Sequence, residues 1–98
     1  MSIYLIRIIG LADGRPSPVD GQWLVDCDVD ARDGRGHVRA TADQADARRF
    51  GTHEETHEYW RRQSAVMPVR SDGHPNRPLT AFTVESIRFD TSDDALQD

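Results

Sequence analysis

His53-Glu54-Glu55-Thr56-His57 fits the spacing H-E-x-x-H. On a helix, residues four apart share a face, so the two imidazoles can hold one Zn²⁺ while Glu54 activates a water. It resembles the zincin metalloprotease motif over these five residues only. The longer metzincin form needs Gly at position 60 and His at position 63, where this chain has Trp60 and Gln63. A third ligand would have to be His74 or Glu85, and spacing fixes neither. His53 also directly follows Thr52, and Thr52-x-x-Glu55 is a capping box. The segment is therefore read as a helix start, with no metal and no cofactor. A zinc-dependent hydrolase built on His53 and His57 is kept as an alternative.

A second cluster is acidic. Asp26, Asp28, Asp30 and Asp33, followed by Gly34, approach the pattern of a calcium-binding loop. That loop wants Gly at its sixth position and Glu at its twelfth, which here are Ala31 and His37. On a strand, alternate carboxylates stand about 6.6–6.8 Å apart, too far to chelate one ion. They read as a solvated face paired with Arg39 and Arg7. Their pitch also resembles that of a phosphate strand, so the row can act as a nucleic-acid mimic towards a protein groove. A third cluster is basic. Arg48, Arg49, Arg61 and Arg62, with Arg70 and Arg77, can form a nucleic-acid-binding surface. Glu54, Glu55 and Glu58 are interleaved with them, and helical Glu/Arg pairs would neutralise that face.

The remaining arithmetic narrows the options. The chain has 98 residues, 37% of them hydrophobic, which is one small domain. Seventeen Asp and Glu stand against 12 basic residues, all Arg, for a net charge of −5. Residues 1–46 carry net −3, residues 47–89 net +2, and residues 90–98 net −4. The body is thus near neutral and polarised, and most of the excess acidity falls in a terminal segment. No apolar run approaches the ~18 residues of a membrane span, and the start reads as a strand rather than a signal peptide. A single cysteine, Cys27, permits no internal disulfide and no multi-cysteine zinc site, and its alternation with Trp23 and Val25 marks it as a buried apolar residue. The default compartment is the cytoplasm.

These residues need elements to position them. Residues 3–9 are apolar on both faces, as in a central strand. Residues 22–29 alternate, with Trp23, Val25, Cys27 and Val29 on one face. Asp33-Gly34 marks a hairpin turn to a third strand, His37 to Thr41. Thr41-x-x-Gln44, with Asp43 as a rival cap, opens a short helix to Phe50, and Gly51 suits a left-handed helix end. A second helix runs from Thr52 to about Ser64, anchored by Tyr59 and Trp60. Pro68, Pro75 and Pro78 make residues 65–78 a stiff loop. Residues 79–89 form the last strand, with a bulge near Glu85-Ser86 placing Phe82, Val84, Ile87 and Phe89 all on the core side. The order is βββααβ. The fold class is α+β, a small antiparallel-dominated sheet of about four strands with two helices packed on one face. Residues 1–90 form the single domain, and residues 91–98 a disordered acidic tail.

The pattern Thr41-x-Asp43-x-x-x-Ala47-x-x-Phe50-x-x-x-x-Glu55-x-x-x-Tyr59-Trp60 resembles one seen in small phage and prophage accessory proteins. It covers about a fifth of the chain. Such proteins include anti-CRISPR inhibitors, so the resemblance implies a non-enzymatic protein that binds and inhibits a host protein or ribonucleoprotein complex, and it carries over no residue roles. The expected partner-binding residues, read from the chain itself, are Asp26, Asp28, Asp30 and Asp33, with Arg70, Asp72, His74, Asn76 and Arg77 of the Pro-rich loop. A free sheet edge can also pair two copies.

Overall fold

A computed structural model of the chain describes residues 2–90. The acidic segment 91–98 lies outside the described residues. Four strands form one antiparallel sheet: β1 (Ser2–Leu11), β2 (Trp23–Asp28), β3 (His37–Thr41) and β4 (Phe82–Asp90), in the order β3-β2-β1-β4. A four-residue helical turn, α1 (Ala31–Gly34), and one regular helix, α2 (His53–Trp60), accompany them. The fold class is the expected α+β. No helix is long and apolar enough to cross a membrane among the described residues.

The central position of β1 follows from its two-sided apolarity: Leu5, Ile6 and Ile8 are all buried. Ile6 belongs to the main core with Leu24, Cys27, Val29, Phe50, Tyr59 and Leu79. Leu5 points to the opposite face. There Trp23 and Phe89, from the two strands flanking β1, meet edge to face at 5.8 Å and cover it. β1 and β2 pair only around Arg7 and Trp23 and then separate. The chain after β3 fills the opening. Arg48 N donates to Leu24 O on β2 (2.9 Å), while Phe50 exchanges both backbone bonds with Tyr4 on β1 (2.9 Å each).

That wedge corrects the expected first helix within 41–50. Asp43 does cap a turn, its carboxylate accepting from Ala45 N at 2.9 Å, but the turn is a single 3-10 segment, Gln44–Asp46. The amides of Arg48 and Phe50, which a helix would need, bond to neighbouring strands instead. Gly51 consequently ends no helix and has no positive φ. α2 begins as predicted, with Thr52 Oγ1 accepting from Glu55 N at 3.1 Å, and stops at Trp60, short of Ser64.

Two facial assignments also change. An irregularity between Leu24 and Asp26 puts Leu24 and Cys27 in the core, with Trp23 on the other face. The β4 register is continuous through Glu85 and Ser86, and the irregularity falls in β1 between Ile8 and Gly10. Phe82 and Val84 therefore pack against the main core while Ile87 and Phe89 line the opposite face with Leu5 and Ile3. With apolar residues needed on both faces, β4 requires no bulge.

Candidate functional site

The segment between α2 and β4 carries most of the expected contact residues, and three groups hold it in place. Asp30 Oδ1 accepts from Ser64 Oγ (3.0 Å), Ala65 N (2.7 Å) and Val66 N (3.2 Å). The Ala65 and Val66 amides hold its carboxyl below the usual carboxylate range. Buried Ser64 in turn accepts from Met67 N at 3.1 Å. Asn76, also buried, donates its side-chain amide to Gly34 O (2.6 Å) and Met67 O (2.8 Å). Its main chain accepts from Ser64 N and donates to Pro68 O, each at 2.9 Å.

The surface that receives this segment is backbone held in an unusual state. Within α1, Arg32 and Asp33 have φ of 53° and 57°, a left-handed turn rather than an ordinary helix. Such residues cost roughly 1–2 kcal/mol each and persist where surrounding contacts fix them. Gly34 follows at φ 91°, and a Cβ there would stand 2.6 Å from Met67 Cβ. The absent side chain lets the turn and the loop touch.

Anchoring leaves the outer side of the loop in water. Val66, Met67 and Val69 are 62%, 46% and 53% exposed. At the tip, Arg70 and His74 flank Asp72 at 3.2 and 3.3 Å, and Arg70 N donates to His74 O at 2.8 Å. The Asp72 carboxyl lies below its usual range, chiefly because it accepts the His74 amide.

The nine expected contact residues thus separate. Arg70, Asp72 and His74 share the tip. The side chains of Asp30, which stays exposed, and Asn76, which is buried, are taken up as anchors of the loop, and Asp33 sits in the left-handed turn. Arg77 gives its carbonyl to Thr80. Asp26 and Asp28 lie on β2, where Arg39 Nε meets both Asp26 oxygens at 2.9 and 3.0 Å and Nη2 bonds the same carboxylate. That pairing lowers the Asp26 carboxyl. Asp28 accepts from Asp30 N at 3.0 Å. The four carboxylates do not form one free row. Sequence reasoning missed Val66, Met67 and Val69. Their only sign was an apolar run inside a proline-rich loop, too short to specify its exposure.

The H-E-x-x-H segment has another geometry. His53 Nδ1 lies 2.8 Å from Ser86 Oγ on β4, and its ring packs on Tyr4 at 4.4 Å. Thr56 Oγ1 donates to His53 O (2.6 Å) and stands 2.9 Å from Ser86 Oγ, so these groups tie the start of α2 to β4. Glu85 points to the opposite face, opposite Arg7. Among the described residues, no three His, Cys, Asp or Glu side chains are grouped to hold a metal ion.

The basic residues divide as well. Arg62 bonds to Cys27 O and packs on the Tyr59 ring at 4.0 Å, while Arg48 meets the same ring at 4.6 Å. Tyr59 Oη accepts from Cys27 N at 2.8 Å. Arg62 therefore serves the core rather than pairing with Glu58. Burial pushes the Cys27 thiol up to about 11.

A groove of about 500 Å³ lies between α2 and β4, with His57 and Trp60 on one wall, Phe82, Val84 and Ser86 on the other, and buried Ile6 among its lining residues. Compared with family models, curated proteins and solved structures, the chain matches none of them.

Proposed function

We propose that this chain is a non-enzymatic, cytoplasmic binding protein whose contact element is the anchored 64–77 loop. Its role on this reading is that of a phage-type accessory inhibitor acting on a host protein or ribonucleoprotein complex. The observation that carries the reading is the exposure of Val66, Met67 and Val69 on a backbone clamped by Asp30 and Asn76. Burying one such side chain in an interface is favourable by about 1.5–3 kcal/mol. A loop already ordered in the free protein loses less entropy on docking. Arg70, Asp72 and His74 supply the polar rim that such a patch needs. Charge mimicry by Asp26 to Asp33 has weaker support, because Asp26 is neutralised by Arg39 and Asp30 is held by the loop.

The test is affinity capture from host-cell lysate with the immobilised chain, a Val66→Asp/Val69→Asp variant and an Asp26→Asn/Asp28→Asn variant. A partner retained by the wild type and the Asn variant but lost by the loop variant supports the reading. Loss only with the Asn variant favours charge mimicry, and a partner indifferent to both sets of changes refutes the loop as contact element.

A further inference from the structure

We propose that the free edge of β4, with the groove beside it, is a second binding site that takes an extended peptide by strand addition. Among the described residues, β4 pairs with β1 on one side and with no strand on the other. On β1, Tyr4 exchanges backbone bonds with Phe50, Ile8 N donates to Gln22 O, and Ile8 O accepts from Gly21 N. Tyr4 and Ile8 thus turn their polar backbone away from β4. In an antiparallel ladder their partners then do the same. Those partners are Arg88 and Val84, and Ser86 shares their parity. All three residues present N–H and C=O to the open edge.

Two of these positions, Val84 and Ser86, also line the groove against α2 with their side chains, while Arg88 is exposed and its Nε donates to Ser2 Oγ at 3.0 Å. Backbone donors and side-chain pocket therefore coincide at Val84 and Ser86. Phe82 O, the next edge-facing carbonyl, accepts from the Trp60 indole N–H at 3.1 Å, which closes the row at that end. β4 contains no proline, a common means of blunting an edge strand.

This combination selects the occupant. A row of donors and acceptors repeating every two residues is matched by another extended backbone, and the peptide's alternate side chains then drop into the groove. Phe82, Val84 and Trp60 suit an aliphatic side chain. His57, on the more polar part, suits a hydroxyl or carboxylate two residues along. The ligand class is a short extended segment with an apolar residue and a Ser, Thr, Asp or Glu at that spacing.

The experiment is an amide NMR titration of the full chain with the blocked hexapeptide Ac-VTETVT-NH2. A second peptide has the same side chains but N-methyl groups on the amides that would pair with β4. Strand addition shifts the Val84, Ser86 and Arg88 amides and the Trp60 indole, and N-methylation weakens binding at least about tenfold, the equivalent of one to two lost hydrogen bonds. A Val66→Asp/Val69→Asp variant binds the peptide unchanged, which separates this site from the loop. Equal binding of the methylated peptide, or no shift at these amides, overturns the proposal. The same shifts arising from protein concentration alone would assign the edge to a second copy and also overturn it.

Discussion

Replacing Asn76 by alanine removes two donated hydrogen bonds, to Gly34 O at 2.6 Å and Met67 O at 2.8 Å. The main-chain bonds of residue 76 to Pro68 and Ser64 remain, so the side chain is isolated as the variable. A hydrogen bond nets about 0.5–1.5 kcal/mol, and an acceptor stranded in a buried site costs about 1–3 kcal/mol. Gly34 is buried and its carbonyl is stranded, whereas Met67 is exposed and water can replace the lost donor. The expected destabilisation is about 2–4 kcal/mol, a large share of the about 5–15 kcal/mol typical of a domain. With a urea dependence of about 2 kcal/mol per molar, the midpoint falls by about 1–2 M. Amide exchange at Ser64, whose N–H bonds Asn76 O, accelerates if the loop opens before the sheet. Asn76→Asp is worse than alanine at neutral pH, because a carboxylate then faces two carbonyls. A midpoint shift below about 0.3 M, with Ser64 protection intact, would refute the claim that this side chain holds the loop.

Other outcomes follow from the same contacts. Gly34→Ala meets both a positive φ and Met67 Cβ, so it loosens the loop and exposes the Ser64 amide to exchange; unchanged protection would contradict the close approach. Asp30 and Asp26 are held below the usual carboxylate range, so their contribution is present at neutral pH and is lost as pH falls from about 4 through their folded values. Asp30→Asn should flatten that acid loss in the Ala65 and Val66 amides, and an unaltered acid profile would exclude Asp30 as its source. The Cys27 thiol, raised to about 11, should react with a thiol reagent only on unfolding, and stability should decline as pH rises from about 9 toward that value. Rapid native-state labelling would contradict its burial. Equilibrium dialysis against Zn²⁺ should give no stoichiometric binding, and a bound ion that disappears in His57→Ala would restore the metal reading.

Single-stretch patterns and chain-wide geometry contributed differently. The capping box at Thr52 was legible because its partners are three residues apart, and Thr52 does accept from Glu55. The similar signal at Thr41 to Gln44 was misleading, because the amides of Arg48 and Phe50 found distant carbonyls on β2 and β1. Asp30 and Asn76 were picked out as polar loop residues. Their side chains bond the loop instead, a direction set by partners 35 and 42 residues away in sequence.

By itself the sequence determined what depends on local periodicity and composition: a small α+β domain, a two-sided central strand, a buried Cys27, and a proline-rich segment that could not be helix. Periodicity states which side chains share a face. It does not state what stands opposite them. Only the tertiary structure decided that Asp30 and Asn76 clamp a loop, that Val66, Met67 and Val69 are left in water, and that Val84, Ser86 and Arg88 turn their backbone to an open edge. Each of these depends on a neighbour far along the chain, because hydrogen bonds and packing are satisfied in space rather than in sequence.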